Sequence, residues 1–161
     1  MKNHKSNIEN IKNYYNRIAN LTIAGGTKNE TSIRKAFLEM VEKYAKELQL
    51  AIVDELQQYG TRNYPDAGLQ SPIGLNFGYI ENNGIYDDIE AEIAKKIDKG
   101  YDLTNIIFEN SQWLVLYQNK TRVFKGYIGE TDFVNSRISE AEFERVIKQF
   151  ITFEPQFYWR I

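Results

Sequence analysis

The chain contains no cysteine, a single histidine and only three prolines among its 161 residues. Without cysteine it has no disulfides, no thiolate metal ligands and no cysteine nucleophile. The one histidine, His4, stands in a polar N-terminal stretch, which argues against a Ser-His-Asp triad and against a histidine-rich metal site. No hydrophobic run approaches the ~20 residues of a membrane span, and the N-terminus has no apolar segment of the signal-peptide type. We therefore expect a soluble, cytoplasmic protein.

Neither sign of charge is in large excess, since 20 basic and 22 acidic side chains give a net charge of −2. A domain that binds duplex DNA by itself is usually more basic, because neutralising phosphates provides much of its affinity. Either DNA is not the partner, or most of the DNA contacts belong to another part of a larger protein. The charge leaves both interpretations open.

The spacing of apolar residues predicts an α/β domain with a mixed central sheet flanked by helices. Thr27 and Glu30 form a capping box that opens a helix, and Pro72 and Gly74 mark a turn between two strands. The predicted helices cover residues 7–21, 27–47, 87–99 and 139–150, and the predicted strands cover 50–56, 64–70, 75–82, 105–109, 112–118 and 122–128.

At this length we expect one domain, spanning residues 1–161. It divides into an N-terminal helix and break (1–26), a core (27–125) and a C-terminal helix and tail (126–161). Residues 157–161 are mostly apolar, and a sequence that stops in such a run suggests a piece cut from a longer protein.

The residues that suggest chemistry are two carboxylates on neighbouring predicted strands, Asp66 and Glu81. Period-two alternation predicts that one face of the third predicted strand, at 75–82, carries Leu75, Phe77, Tyr79, Glu81 and Asn83. A turn about Pro72 sets residue 66 opposite residue 79, so the two carboxylates become diagonal neighbours, within ~7–8 Å. Such a pair can share Mg²⁺, which activates a bound water. A turn aspartate and a strand-edge glutamate would give the same pattern.

The context of this pair resembles the PD-(D/E)xK nuclease superfamily. Residues 77–81 are similar to the third core strand in N-terminal nuclease domains of type I and type IIG or ISP restriction–modification enzymes. Residues 99–110 resemble the helix-to-strand segment of the same domains, and the similarity covers about residues 27–125.

The resemblance implies a restriction-endonuclease-like core (α-β-β-β-α-β) and metal-dependent hydrolysis of DNA phosphodiester bonds. Asp66 and Glu81 would be the metal ligands, for Mg²⁺ with Mn²⁺ as a substitute. Glu30 matches an acidic residue that can complete the metal site, and its capping-box role is compatible with that. DNA would be the partner, methyltransferase and target-recognition domains would lie outside this chain, and a dimer is an option.

The sequence departs from the family pattern at Asn83, where a lysine is usual. Asparagine can hydrogen-bond a water but supplies no positive charge. Three explanations compete: an inactivating change, a natural pseudo-nuclease, or another lysine that reaches the site. Lys95, Lys96 and Lys99 on the following helix are candidates, although they equally fit a solvated helix face. The alternative function is a catalytically silent nuclease-fold module that binds DNA or another protein.

Overall fold

The computed structural model describes residues 6–24 and 30–155. Its elements are α1 (Glu9–Ala24), α2 (Glu30–Lys46), β1 (Ala51–Asp54), β2 (Ala67–Gln70), β3 (Asn76–Asn82), α3 (Ile89–Asp98), β4 (Asn105–Glu109), β5 (Trp113–Gln118), β6 (Thr121–Tyr127) and α4 (Glu140–Ile151). This is the predicted order of helices and strands. His4, Thr27 of the capping box and the apolar run at 157–161 lie outside the described residues. Within them, no helix is long and apolar enough to cross a lipid bilayer.

The six strands form one sheet in sequence order, from β1 at one edge to β6 at the other. Every neighbouring pair is antiparallel except β3 and β4, which run parallel. A parallel pair needs a crossover connection, and α3 provides it. The sheet is therefore mixed, as the sequence predicts.

Local hydrogen bonds fix the ends of the helices that flank the sheet. The Asp88 side chain accepts from the backbone nitrogens of Glu90 and Ala91 at 3.0 and 3.2 Å, which caps the start of α3. Gly100, with φ of 79°, follows the end of that helix in the left-handed conformation. Ser139 caps α4 by accepting from the Glu142 nitrogen at 3.1 Å.

Two hydrophobic clusters cover opposite faces of the sheet. The larger cluster packs α1, α2 and α4 against side chains such as Ile80 and Ile107. The smaller one packs α3 against Ile106 and Phe108, the neighbours of Ile107 in β4. Successive residues of a strand point to opposite faces, so the centre of β4, which is buried on both sides, is apolar at three consecutive positions.

One residue of β3, Phe77, breaks the alternation that the sequence suggests. In the β2–β3 pairing Leu69 faces Gly78 but Gln70 faces Asn76, so Phe77 is an extra residue in a bulge. Because a one-residue shift reverses the face, Phe77 packs against the larger cluster, while Tyr79 belongs to the smaller one. The prediction that Phe77 shares a face with Tyr79 and Glu81 is therefore wrong.

Gly78, next to the bulge, is a site where a single methyl group should destabilise the fold. A Cβ there would lie 2.7 Å from both Phe150 Cε1 and Asn105 Nδ2, and the Asn105 amide donates to the backbone oxygens of Phe77 and Phe150 at 2.9 Å. We expect Gly78→Ala to lower the free energy of unfolding by about 1–3 kcal/mol in urea titrations. Adding Phe150→Leu should recover part of that loss. If Gly78→Ala unfolds at the same urea concentration as the parent, Asn105 and Phe150 do not pack tightly against Gly78.

Candidate active site

Asp66 and Glu81 lie side by side where β2 begins and β3 ends. Ala67 pairs with Ile80, and continuing that register by one residue sets Asp66 opposite Glu81. The Asp66 backbone nitrogen donates to Glu81 Oε1 at 3.2 Å, and the Asn82 backbone nitrogen donates to Asp66 Oδ2 at 2.8 Å. The sequence predicted a diagonal pair, with residue 66 opposite 79. The turn is centred on Ile73, one half-step later than predicted, and together with the one-residue bulge at Phe77 this shifts the register by two residues and sets the carboxylates directly opposite each other.

Asp66 is the more accessible of the two carboxylates, with 22% of its side chain exposed. It immediately precedes β2, and its backbone oxygen accepts from the Glu55 nitrogen at 2.9 Å, which fixes its backbone. Arg34 of α2 approaches it, with NH1 3.5 Å from Asp66 Oδ1. This guanidinium is half-exposed, and its positive charge opposes the negative charge of Asp66.

Glu81 is buried, with 6% of its side chain exposed, and it faces α3. Lys96 Nζ lies 3.4 Å from Glu81 Oε2, and the Tyr101 hydroxyl donates to Oε1 at 3.3 Å. Burial raises the pKa of Glu81, and the negative charge of Asp66 raises it further, while Lys96 opposes both effects. A divalent cation shared with Asp66 would stabilise both carboxylates in their ionised forms.

The three candidate lysines of α3 differ in where their side chains lie. Lys96 is mostly buried, with 18% of its side chain exposed, and reaches Glu81. Lys95 is exposed and pairs with Glu92 at 3.1 Å, and Lys99 is exposed as well. The solvated-face interpretation therefore fits Lys95 and Lys99, and Lys96 is the lysine that approaches the carboxylate pair.

Glu30 and Asn83 lie near each other at the end of β3. Glu30 is the exposed first residue of α2, and its Oε1 would lie 2.9 Å from a Cβ placed on Gly84. The backbone nitrogen of Asn83 donates to the Glu109 carbonyl oxygen at 2.8 Å, which extends the β3–β4 pairing. Glu30 and Asn83 line one small cavity together with Glu109 and Arg34, and Arg34 links this cavity to Asp66.

The donor set of Asp66 and Glu81 suits a hard cation that keeps part of its hydration. Within residues 6–24 and 30–155, no group of three or more histidine, cysteine, aspartate or glutamate side chains is arranged to enclose a metal ion. Mg²⁺ is commonly bound by one or two carboxylates, with water and substrate oxygens as the remaining ligands. Two adjacent carboxylates, one of them partly exposed, fit that pattern.

Comparison with known proteins supports the fold. No protein-family model matches the chain, and no curated protein matches it. Among solved structures, the cryoEM structure of a DrdV–DNA complex matches with a TM-score of 0.80 and 30% sequence identity. The match covers 92% of this chain and 14% of that chain. The fold is restriction-endonuclease-like.

The predicted α-β-β-β-α-β core of the restriction-endonuclease-like fold corresponds to α2, β1, β2, β3, α3 and β4. In this arrangement β3 and β4 run parallel, so their C-terminal ends lie side by side. The four candidate residues lie at or next to these strand ends: Asp66, Glu81, Asn83 and Glu30. The core therefore places these four candidate site residues in one region of the structure.

Glu109, the last residue of β4, is an additional polar group that the motif search missed. It is 1% exposed, and it accepts from Asn82 Nδ2 at 2.5 Å and from the Ser111 backbone nitrogen at 2.8 Å. Burial raises the pKa of Glu109 to about 7. The available signal was a carboxylate directly after three consecutive apolar residues, since a buried carboxylate is costly unless it has a role or partners.

Proposed function

We propose that the chain is the metal-dependent endonuclease domain of a restriction–modification protein and hydrolyses DNA phosphodiester bonds. The observation that carries the proposal is the direct pairing of Asp66 with Glu81, where β2 begins and β3 ends. The likeness to a protein solved in complex with DNA supports DNA as the substrate. Because the chain covers 14% of that protein, we assign target recognition and methylation to domains beyond this chain.

In this proposal Asp66 and Glu81 hold Mg²⁺ or Mn²⁺, with Glu30 assisting from the first turn of α2. A bound ion would supply stabilisation of charge on a phosphoryl oxygen and would lower the pKa of a water that it holds. Arg34 attracts the DNA phosphate toward Asp66 through its half-exposed guanidinium. The net charge of −2 fits a catalytic domain whose DNA affinity comes mainly from other domains.

We assign the role of the usual lysine to Lys96. The usual lysine stands two residues after the glutamate, which is position 83 in this chain. The Lys96 ammonium group instead approaches Glu81 from α3. An ammonium at this point balances negative charge on the reacting phosphate, which the neutral amide of Asn83 cannot do. The assignment explains how a chain with asparagine at position 83 can keep the chemistry.

Changing Asn83 to lysine tests whether another residue already supplies the positive charge that the usual lysine provides. Because Lys96 already supplies this charge, we expect Asn83→Lys to increase the rate of supercoiled-plasmid nicking in Mn²⁺ by no more than about tenfold, which is 1.4 kcal/mol of transition-state stabilisation. A parent chain that does not nick, combined with a variant that does, would mean that Lys96 has no such role and that Asn83 disables the site.

The second candidate function is a nuclease-fold module that binds DNA or a protein partner without cutting. It is favoured by the same asparagine at position 83 and by the Lys96–Glu81 ion pair, which neutralises a carboxylate without a metal. This function predicts that neither the parent nor Asn83→Lys nicks plasmid DNA. Salt-dependent DNA binding by both chains would then identify a DNA-binding module, and absence of DNA binding would identify a protein-interaction domain.

A further inference from the structure

A small cavity lies where β3 and β4 end, against the first turn of α2. Its volume is about 20 Å³, which is enough for one water molecule. Its polar lining consists of Glu30, Arg34, Asn82, Asn83 and Glu109. Two residues of the lining also contact Asp66: Arg34 approaches Oδ1 at 3.5 Å, and the Asn82 backbone nitrogen donates to Oδ2 at 2.8 Å.

Two buried amide atoms in the lining need partners. Asn82 Oδ1 and Asn83 Nδ2 are buried, and neither makes a hydrogen bond to any of the residues that the structure describes. The first is an acceptor and the second is a donor. One water can donate to Asn82 Oδ1 and accept from Asn83 Nδ2, and its second proton can then point to a carboxylate. Buried waters typically make about three such bonds.

Glu109 is the buried carboxylate that borders this position. Each of its oxygens accepts one protein hydrogen bond, from the Asn82 amide and from the Ser111 nitrogen, so each can accept one more. These two bonds fix the carboxylate in place at the end of β4. We propose that the cavity seats the water that attacks the DNA phosphate, with Asn83 donating to its oxygen and Glu109 accepting its proton. The inference rests on the endonuclease function proposed above.

The step balances without an additional reactant. A lone pair on the water oxygen forms the new bond to phosphorus, and the water O–H bond breaks as its proton moves to the Glu109 carboxylate. The bond between phosphorus and the leaving ester oxygen breaks, with its electron pair remaining on that oxygen. The leaving oxygen takes a proton from solvent, and Glu109 returns its proton to solvent, so one phosphodiester and one water become a phosphomonoester and an alcohol.

The surroundings of Glu109 suit a proton acceptor at neutral pH. Burial and, to a smaller extent, the negative charge of Asp66 raise the pKa of Glu109 to about 7, against the lowering effects of the hydrogen bonds from Asn82 and Ser111 and of the Arg34 charge. Glu30 borders the cavity from α2, and Tyr14 of α1 faces Glu109 closely enough for the carboxylate to raise the tyrosine's pKa. A general base works best when its pKa is near the working pH, because it is then ionised yet still basic.

Glu109→Gln tests this role because glutamine keeps the shape of the side chain and cannot take a proton. We expect the nicking rate at saturating Mn²⁺ to fall about a hundredfold or more, within the range for loss of a general base. The rate of the parent should rise with pH through about 7, and this rise should be absent in the variant. Mn²⁺ affinity by calorimetry should stay within about twofold, a change of roughly 0.4 kcal/mol, because Asp66 and Glu81 are unchanged.

Glu144→Gln is the matched control, since Glu144 is also a buried glutamate but lies on α4 and bonds to Tyr44. It should keep the parent's rate and pH profile. Asn83→Ala, a second variant, should nick about tenfold more slowly, the value of one hydrogen bond of roughly 1.4 kcal/mol. This variant decides the question if Glu109→Gln fails to fold in a thermal unfolding scan.

The possible outcomes separate the two proposals. A parent that nicks DNA together with an unchanged rate or pH profile in Glu109→Gln overturns the water site and leaves the endonuclease function standing. If Glu109→Gln does not fold, an unchanged rate in Asn83→Ala has the same meaning. A parent that does not nick in Mn²⁺ overturns both proposals.

Discussion

Changing Asp66 to asparagine is expected to abolish nicking of supercoiled DNA in Mg²⁺ and in Mn²⁺. Asparagine keeps an oxygen that can accept from the Asn82 backbone nitrogen, so the end of β3 should remain in place. It removes the negative charge that, with Glu81, would hold the ion. Because metal binding supplies several kcal/mol of charge stabilisation, we expect the rate to fall at least about a thousandfold.

Asp98→Asn is a suitable control for this experiment, because Asp98 is an exposed aspartate at the end of α3 and the charge change is the same. It should nick at the parent's rate. Thermal unfolding of both variants should match that of the parent within a few degrees. Nicking by a folded Asp66→Asn chain at the parent's rate would remove Asp66 from the mechanism.

Lys96→Met is expected to have the second-largest effect on nicking. Methionine keeps an unbranched stem that can pack near the Tyr101 ring, over which the Lys96 ammonium now lies 5.3 Å from the centroid. It removes the positive charge, so the pKa of Glu81 should rise, since Lys96 lowers it. Loss of one stabilising group of this kind typically reduces turnover by about 10²–10³-fold, and we expect that range here.

Two further variants distinguish catalysis from packing in this experiment. Lys95→Met removes a lysine of the same helix that pairs with the partly exposed Glu92, and it should nick as the parent does. Adding Asn83→Lys to Lys96→Met should restore at least a tenth of the nicking rate that Lys96→Met loses. The reason is that a positive charge returns at position 83, where the nucleases that this chain resembles carry a lysine. A Lys96→Met chain with the parent's activity would show that its ammonium takes no part.

The sequence predicts the elements well because their signals are local. The four-residue spacing of Ile89, Ile93 and Ile97 and the cap at Ser139 each depend on a few neighbouring residues, and the structure confirms both helices. The mixed α/β fold follows from the order of those elements. The grouping of Asp66 with Glu81 likewise depends only on a hairpin between two recognisable strands.

Features set by tertiary packing were beyond the sequence. Phe77 is apolar on either face, so nothing in its identity reveals the bulge that changes the register. Lys95, Lys96 and Lys99 have the same chemistry, and only the rotation of α3 against the sheet selects Lys96. Glu109 and Asn82 are 27 residues apart along the chain, and they come close because β3 and β4 are parallel neighbours.

Calorimetric titration of Mn²⁺ into the parent chain and into Asp66→Asn tests the central claim most directly. That claim is that the Asp66 and Glu81 carboxylates together hold one divalent ion. We predict one Mn²⁺ bound per parent chain and no detectable binding by the folded variant at the same concentrations. Equal binding by both chains, or no binding by the parent at millimolar Mn²⁺, would contradict it.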